Sequence, residues 1–357
     1  MLKGHFRETN ISKTKMDEYF SFFDKRIKNL NVKPQIKYIQ LGNEIARIES
    51  YIPELTAVME MQLSYCLTDD ADSYDSILYL WKDDVKSYIA DYAQEADDLF
   101  YFPKDQPNTF IKFRLYDDSM IAYNQEQKTC YSSMNDVSTT AIRKLGHVLA
   151  KELYQLAKAS NQSLVHAASV GIDGTGVLIS ARGGGGKSTL SLSAMLGGFQ
   201  YVSDDYLVLS KTSKGVYAYP LYSIINLYPQ MLERMKLLKA EYMYNIPWRP
   251  DKWALDIRAH HDSFVPKLKV DAVVFPKVCN LDKPFIEPAE KGKAIVQLVH
   301  STILQLDYDD DKNNNTVRRL LSLVSNLEFF QINLSGDLNA NVELLKQFIT
   351  NRKLCME

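Results

Sequence analysis

Lys187, Ser188 and Thr189 close a glycine run, Gly183-Gly184-Gly185-Gly186, that follows the apolar segment Val177–Ser180. The spacing fits the phosphate-binding pattern GxxxxGK[ST], with Ala181 in place of the first glycine. Glycines let successive backbone N–H groups turn inward toward an anion where a Cβ would obstruct them. A helix starting near Ser188 directs its partly positive N-terminus at the same anion. Lys187 adds a full charge for the β and γ phosphates, and the Ser188 hydroxyl is a ligand for Mg2+. A glycine-rich turn with no ligand is the alternative, but an apolar strand before the loop and a helix-compatible segment after it favour the cradle. Ala181 needs φ < 0, which the incoming strand supplies.

Asp204 and Asp205 follow Lys187 by 17 and 18 residues, at the end of the strand-like run Tyr201–Ser203. In a parallel sheet, strand ends and helix N-termini meet at one edge, which brings these carboxylates toward the phosphates. Adjacent side chains on an extended segment point to opposite sides, so one acid can hold Mg2+ while the other faces an incoming hydroxyl. His166 stands 21 residues before Lys187, in Leu-Val-His-Ala-Ala. Alone, a histidine in such an apolar run is a satisfied core residue. Arg182, Arg249 and Arg258 are candidates for a further cation.

The elements that must hold these residues are legible from about Ser138 onward. Ile142, Leu145, Leu149, Leu153 and Leu156 recur at helical spacing, with Ser138 as N-cap. Leu164–Val170 reads as a strand, Gly171–Gly174 as a tight turn and Val177–Ser180 as a second strand. A helix over Ser188–Leu196 stops at Gly197-Gly198. Val270–Phe275 is a buried-type strand ending at Pro276. Helices over Gly292–Leu306 and Thr316–Leu327 flank the polar loop Asp307–Asn315, then come a strand, Phe329–Leu334, and a helix, Ala340–Asn351. Strands alternating with helices predict an α/β sheet. Before residue 138 the pattern is mixed: a helix around Met16–Lys28 and strands such as Ile36–Leu41 and Ser76–Trp81. The 357 residues therefore divide into an N-terminal α+β domain, 1–137, suited to acceptor recognition, and an α/β domain, 138–357.

Composition narrows the function classes. The 42 Lys and Arg nearly balance 44 Asp and Glu, a net of −2, which lacks the basic footprint of a nucleic-acid or anionic-membrane binder. Cys66, Cys130, Cys279 and Cys355 lie far apart without a CxxC pair, so neither a disulfide framework nor a zinc knuckle is expected. No apolar run approaches membrane-spanning length and the start is polar, so the expectation is a soluble, cytoplasmic protein. The acidic stretch Asp69–Asp98 fits no metal loop and reads as solvated surface. His260-His261 beside Asp262 is a poor metal site, since adjacent residues seldom ligate one ion together. His300, in an apolar helical run, reads as structural.

Taken together, LVHAASVGIDGTGVLIS, ARGGGGKST and YVSDD resemble the catalytic domain of the HPr kinase/phosphorylase-like family. The resemblance is tight over 164–210 and loose to about residue 350. It implies a P-loop-bearing α/β fold of the phosphoenolpyruvate-carboxykinase type. It also implies an ATP- and Mg2+-dependent kinase that phosphorylates a hydroxyl, with Ser or Thr of a peptide or protein as the leading acceptor. Lys187 would stabilise the transferred group, Ser188 and Asp205 would position Mg2+, Asp204 would be the base, and His166 would tune it. The glycine- and Arg-rich signature that follows the Asp pair in HPr kinases is not recognisable here. In its place stands Tyr217–Asp256, rich in Tyr, Met and Trp, either an acceptor-binding lip or a packed insertion. A nucleotide-binding switch without an acceptor and a small-metabolite kinase are the rival readings, and a homo-oligomer is left open.

Overall fold

The computed structural model describes residues 6–89, 98–106, 108–115, 117–138, 147–158, 161–235, 243–246, 249–279, 281–306 and 315–354. The chain packs as two units, one of Met1–Met61 with Leu67–Leu156 and one of Gln62–Cys66 with Ala157–Glu357. The expected division after residue 137 precedes the last helix of the first unit. Of the helix expected over 138–156, residues 139–146 lie outside the described residues, and Ala150–Leu156 is helical.

The first unit contains β1 (Phe6–Asn10), α1 (Lys13–Lys28), β2 (Gln35–Leu41), β3 (Glu44–Ser50), α2 (Pro53–Gln62) and β4 (Leu67–Thr68). It continues with β5 (Ser76–Lys82), β6 (Asp98–Phe102), β7 (Phe110–Arg114), β8 (Ser119–Asn124), β9 (Thr129–Met134) and α3 (Ala150–Leu156). The nine strands form one mixed sheet, ordered β1-β6-β7-β8-β9-β5-β3-β2-β4. Helix α1 begins three residues before the expected Met16 because Ser12 caps it, its Oγ accepting from the Lys15 amide at 3.1 Å. Its buried stripe, Met16, Phe20, Phe23 and Ile27, packs with Trp81, Ile111, Phe113 and Tyr131. In the acidic stretch, Asp69 pairs with Lys37 and Asp83 with Arg26, while Asp75 accepts from the Ile45 amide. Residues 90–97 of that stretch lie outside the described residues, and among the described residues no three ligating side chains group as a metal site.

The second unit contains β10 (Gln162–Val165), β11 (Ala168–Ile172), β12 (Thr175–Ile179), α4 (Lys187–Leu196), β13 (Gln200–Ser203), β14 (Leu207–Thr212) and β15 (Gly215–Tyr219). Next come β16 (Ile224–Leu227), α5 (Pro229–Arg234), β17 (Met243–Ile246), β18 (Arg249–Asp256) and β19 (Leu268–Val278). It ends with β20 (Phe285–Pro288), α6 (Lys291–Leu306), α7 (Asn315–Val324), β21 (Glu328–Leu334) and α8 (Leu338–Leu354). The main sheet is mixed, ordered β10-β14-β15-β19-β12-β11-β13, with β21 added to β19 and β20 to β21. Strand β19 runs parallel to β12 and β21, while β11 is antiparallel to both β12 and β13. Val177 and Ile179 face one core with Leu190 and Met195, whereas Leu178 faces another with Val273, Leu298 and Leu320. Burial on both faces is why β12 reads as an unbroken apolar run. Asp173 (φ 49°) and Gly174 (φ 80°) close the β11–β12 hairpin with two left-handed residues, as a tight right-twisted hairpin requires.

Several sequence expectations change here. Leu164–Val170 is two strands: the chain bends at His166-Ala167, so β10 pairs with β14 and β11 with β12 and β13. Strand β19 does not end at Pro276 but runs to Val278. Its ladder with β12 ends at Val274, so one flank is open at Pro276, which has no N–H to donate. Tyr217–Asp256 folds as part of β15, the antiparallel sheet β16-β18-β17 and α5, with 236–242 and 247–248 outside the described residues. His300 lies on an exposed face of α6 rather than in the apolar core. Among the described residues no helix is long and apolar enough to cross a membrane.

Candidate active site

Three strand ends meet at one edge of the second unit's sheet. Ala168 at the start of β11 pairs with Ile179 at the end of β12, and Ser169 pairs with Ser203 at the end of β13. Because β12 and β13 are both antiparallel to β11, their C-terminal ends share that edge. The glycine loop leaves β12 there, Asp204-Asp205 leave β13 there, and His166 precedes β11 there.

The loop's backbone is left-handed at Gly184 (φ 82°) and at Gly186 (φ 94°), the residue that opens α4. A Cβ at Gly183 or Gly184 would meet nothing within 4 Å, so their outer side is open. A Cβ at Gly185 would lie 2.9 Å from the Ala181 Cβ and 3.0 Å from the Arg182 carbonyl, and one at Gly186 would press on Leu334 and Val278. One side of the loop is thus walled by protein and the other side is free. The Gly185 amide donates to the Arg182 carbonyl at 2.9 Å, and the Leu190 amide to the Gly186 carbonyl at 2.9 Å. Helix α4 starts at Lys187, one residue before the expected Ser188, with Thr189 in its first turn. Ala181 is absent from the left-handed residues, as its Cβ demands.

Lys187 is buried, and its Nζ donates to Asp204 Oδ1 at 2.8 Å and to Asp205 Oδ1 at 2.6 Å. The expectation that the two acids point to opposite sides does not hold. The chain leaves extended geometry at this point: Asp205 is left-handed (φ 63°) and the Tyr206 amide folds back on the Asp204 carbonyl at 2.8 Å, turning both carboxylates onto one ammonium. Burial opposes the Lys187 charge, but the two carboxylates outweigh it and hold its pKa above the ordinary lysine value.

The two acids differ in setting. Asp204 is fully buried and also accepts from Ser191 Oγ at 3.3 Å, while its Oδ2 has no partner among the described residues. Asp205 keeps 17% of its side chain exposed, receives Asn226 Nδ2 on Oδ2 at 3.3 Å, and has His166 Nε2 3.6 Å from Oδ1. His166 is nearly buried beside the Tyr206 ring, its backbone amide donating to Thr302 Oγ1 of α6 at 3.2 Å. Burial pulls its pKa below the ordinary histidine value; Asp205 partly offsets this and Lys187 adds to it. Its Nδ1 is buried without a partner among the described residues.

The structure therefore brings together His166, Lys187, Asp204 and Asp205, with Gly183, Gly184, Gly185, Gly186, Ser188 and Thr189 on the adjoining loop and helix turn. It adds Ser191 and Asn226, which the sequence reading missed. Ser191 was within reach, since it lies four residues after Lys187 and so on the same face of α4. Nothing local marks Asn226, which β16 delivers from 21 residues past Asp205. Arg258 is engaged by its neighbour Asp256, and the Arg249 side chain lies outside the described residues. A one-sided glycine cradle, a buried ammonium and a buried carboxylate oxygen with no donor among the described residues suit an anion bound together with a cation.

No family model matches the chain, and no curated protein matches it. Among solved structures it is similar to the Hpr(Ser) kinase/phosphatase from Coxiella burnetii, at 17% identity and a TM-score of 0.30, over 54% of this chain and 98% of that one. A likeness this slight carries no argument about function, which rests on the geometry just described.

Proposed function

We propose that the second unit is an ATP- and Mg2+-dependent kinase that transfers a phosphoryl group to a hydroxyl, with Ser or Thr of a peptide or protein as acceptor. The observation that carries this is the Lys187 ammonium, held between two carboxylates at the mouth of an open-sided glycine loop. A loop that only bound nucleotide would have little use for a second acid beside the first.

Phosphoryl transfer asks the protein mostly for alignment and for stabilisation of charge on the phosphoryl oxygens. In this reading the amides of Gly183–Ser188 and the α4 N-terminus hold the phosphates. Lys187 turns from its carboxylates toward the transferring group. The hydroxyl of Ser188 and the free Oδ2 of Asp204 are suited to hold Mg2+, which when bound neutralises phosphate charge. The exposures favour dividing the acids in the opposite way to that implied by the resemblance. A base must be reached by the acceptor, and Asp205 has 17% of its side chain exposed where Asp204 has none. Asp205 therefore accepts the acceptor's proton in this reading, with His166 beside it held neutral by burial.

The test is transfer of labelled phosphate from ATP with Mg2+ to panels of peptides and metabolites. Transfer that disappears in Asp205→Asn supports the reading. Slow hydrolysis with no labelled acceptor, and unchanged by Asp205→Asn, would replace it with a nucleotide switch.

A further inference from the structure

Lys187 opens α4 directly after Gly186, so its flexible four-carbon stem starts between two places that favour a cation, the glycine cradle when it holds an anion and the acid pair. The structure has the ammonium on the acids, 2.8 Å from Asp204 Oδ1 and 2.6 Å from Asp205 Oδ1. Asp205 is crowded besides: His166 Nε2 lies 3.6 Å from the same Oδ1, and Asn226 Nδ2 donates to Oδ2 at 3.3 Å. The Asp204 side chain has no exposed surface and that of Lys187 keeps 7%. A Mg2+ ion takes oxygen ligands at about 2.0–2.1 Å in near-octahedral geometry. It cannot share the cleft between these two Oδ1 atoms with an ammonium, whose like charge would stand directly against it. The place that suits a metal is thus filled by the chain's own cation.

Resting on the kinase reading, we infer that Lys187 is a place-holder that closes the acid pair to divalent cations until nucleotide phosphates draw its ammonium onto the loop. Without a nucleotide, the ammonium supplies the positive charge that buried Asp204 needs. When phosphates fill the loop, the ammonium moves to them and leaves its position beside Asp204 Oδ1 open to a metal. No unused position on either acid is required, since one cation replaces another. The consequence is a fixed order: the nucleotide enters first or together with its metal, and the metal does not enter alone.

The experiment uses the full chain without nucleotide and Mn2+ as the probe, with free Mn2+ followed by electron paramagnetic resonance. Lys187→Ala is expected to bind Mn2+ about tenfold more tightly than wild type. Mn2+ should also raise the melting temperature of that variant and leave that of wild type unchanged. Lys187→Arg, which keeps the charge, should stay closed like wild type, and adding Asp204→Asn to Lys187→Ala should erase the gain. Mn2+ binding by wild type as tight as by Lys187→Ala, or a gain that survives Asp204→Asn, overturns the inference. Should Lys187→Ala fail to fold, a measurement on wild type decides. There Mn2+ should bind a protein-held, non-hydrolysable ATP analogue about tenfold more tightly than the free analogue, because the vacated acid adds a ligand. Equal affinities overturn the inference. The kinase reading fails separately: an analogue that does not bind wild type removes that reading and the inference with it. Phosphate transfer by a wild type that also binds Mn2+ alone keeps the kinase and removes only the place-holder.

Discussion

A lysine whose ammonium touches two buried or half-buried carboxylates is held by them as much as it neutralises them. Removing it exposes both faces of that dependence. Lys187→Ala is expected to lower phosphoryl-transfer turnover by about a hundredfold, roughly 3 kcal/mol of barrier, as for loss of one preorganised stabilising group. It also leaves Asp204 buried beside Asp205 with no cation, so it should lower the unfolding free energy measured by urea titration by about 3–5 kcal/mol. A separate expectation concerns His166. Its folded pKa lies below the unfolded value of about 6.5, so between the two the unfolded chain binds more protons than the folded one. Stability therefore rises with pH through that window and is lost as pH falls through it. His166→Gln should flatten this part of a stability-versus-pH curve measured by denaturant titration; an unchanged slope would show that the burial of His166 does not set it.

At the scale of elements, the glycine loop is where unusual backbone conformation meets the candidate site. Gly184 and Gly186 take left-handed φ values, which cost an L-residue about 1–2 kcal/mol each. Gly184→Ala meets open space and so pays strain alone, whereas Gly186→Ala also presses on Leu334 and Val278. Gly186→Ala should therefore lower the melting temperature more than Gly184→Ala, and both should weaken binding of a fluorescent ATP analogue. The reverse order in a paired thermal scan would mean that the loop relaxes from this backbone. Helix α6 acts as a strut for the same edge: Thr302 holds the His166 amide and Ser301 meets Ser180 at 3.4 Å. Two hydroxyls on consecutive helical residues thus anchor the bends on either side of the β11–β12 hairpin.

Each unit of the whole molecule has its own buried apolar clusters, and the candidate site lies in the second. Phe23, buried among Trp81, Phe113 and Tyr131, is a keystone of the first. Phe23→Ala should destabilise that unit by about 3–5 kcal/mol. ATP with Mg2+ should instead stabilise the second unit, by about 2.7 kcal/mol at a hundredfold excess over Kd. Differential scanning calorimetry with and without EDTA checks this; a shift that survives chelation would show binding independent of the cation.

What the residue order determined alone was whatever depends on local geometry. The helix after Lys187, the apolar strand before the loop and a turn within Gly171–Gly174 follow from periodicity and from which residues tolerate left-handed backbone, although Gly171 and Ile172 stay in β11 and the chain turns only at Asp173-Gly174. Composition likewise gives nearly balanced charge, a net of −2. The tertiary structure decided what depends on contacts between distant segments. It broke the run around His166 into two strands, because β10 and β11 find different partners, and it carried β19 through a proline, because one flank lay open. It turned Asp204 and Asp205 onto a single ammonium where an extended chain would have parted them. It also brought Asn226 to Asp205 through the pairing of β16 with β18, a pairing that the run of residues around Asn226 does not announce.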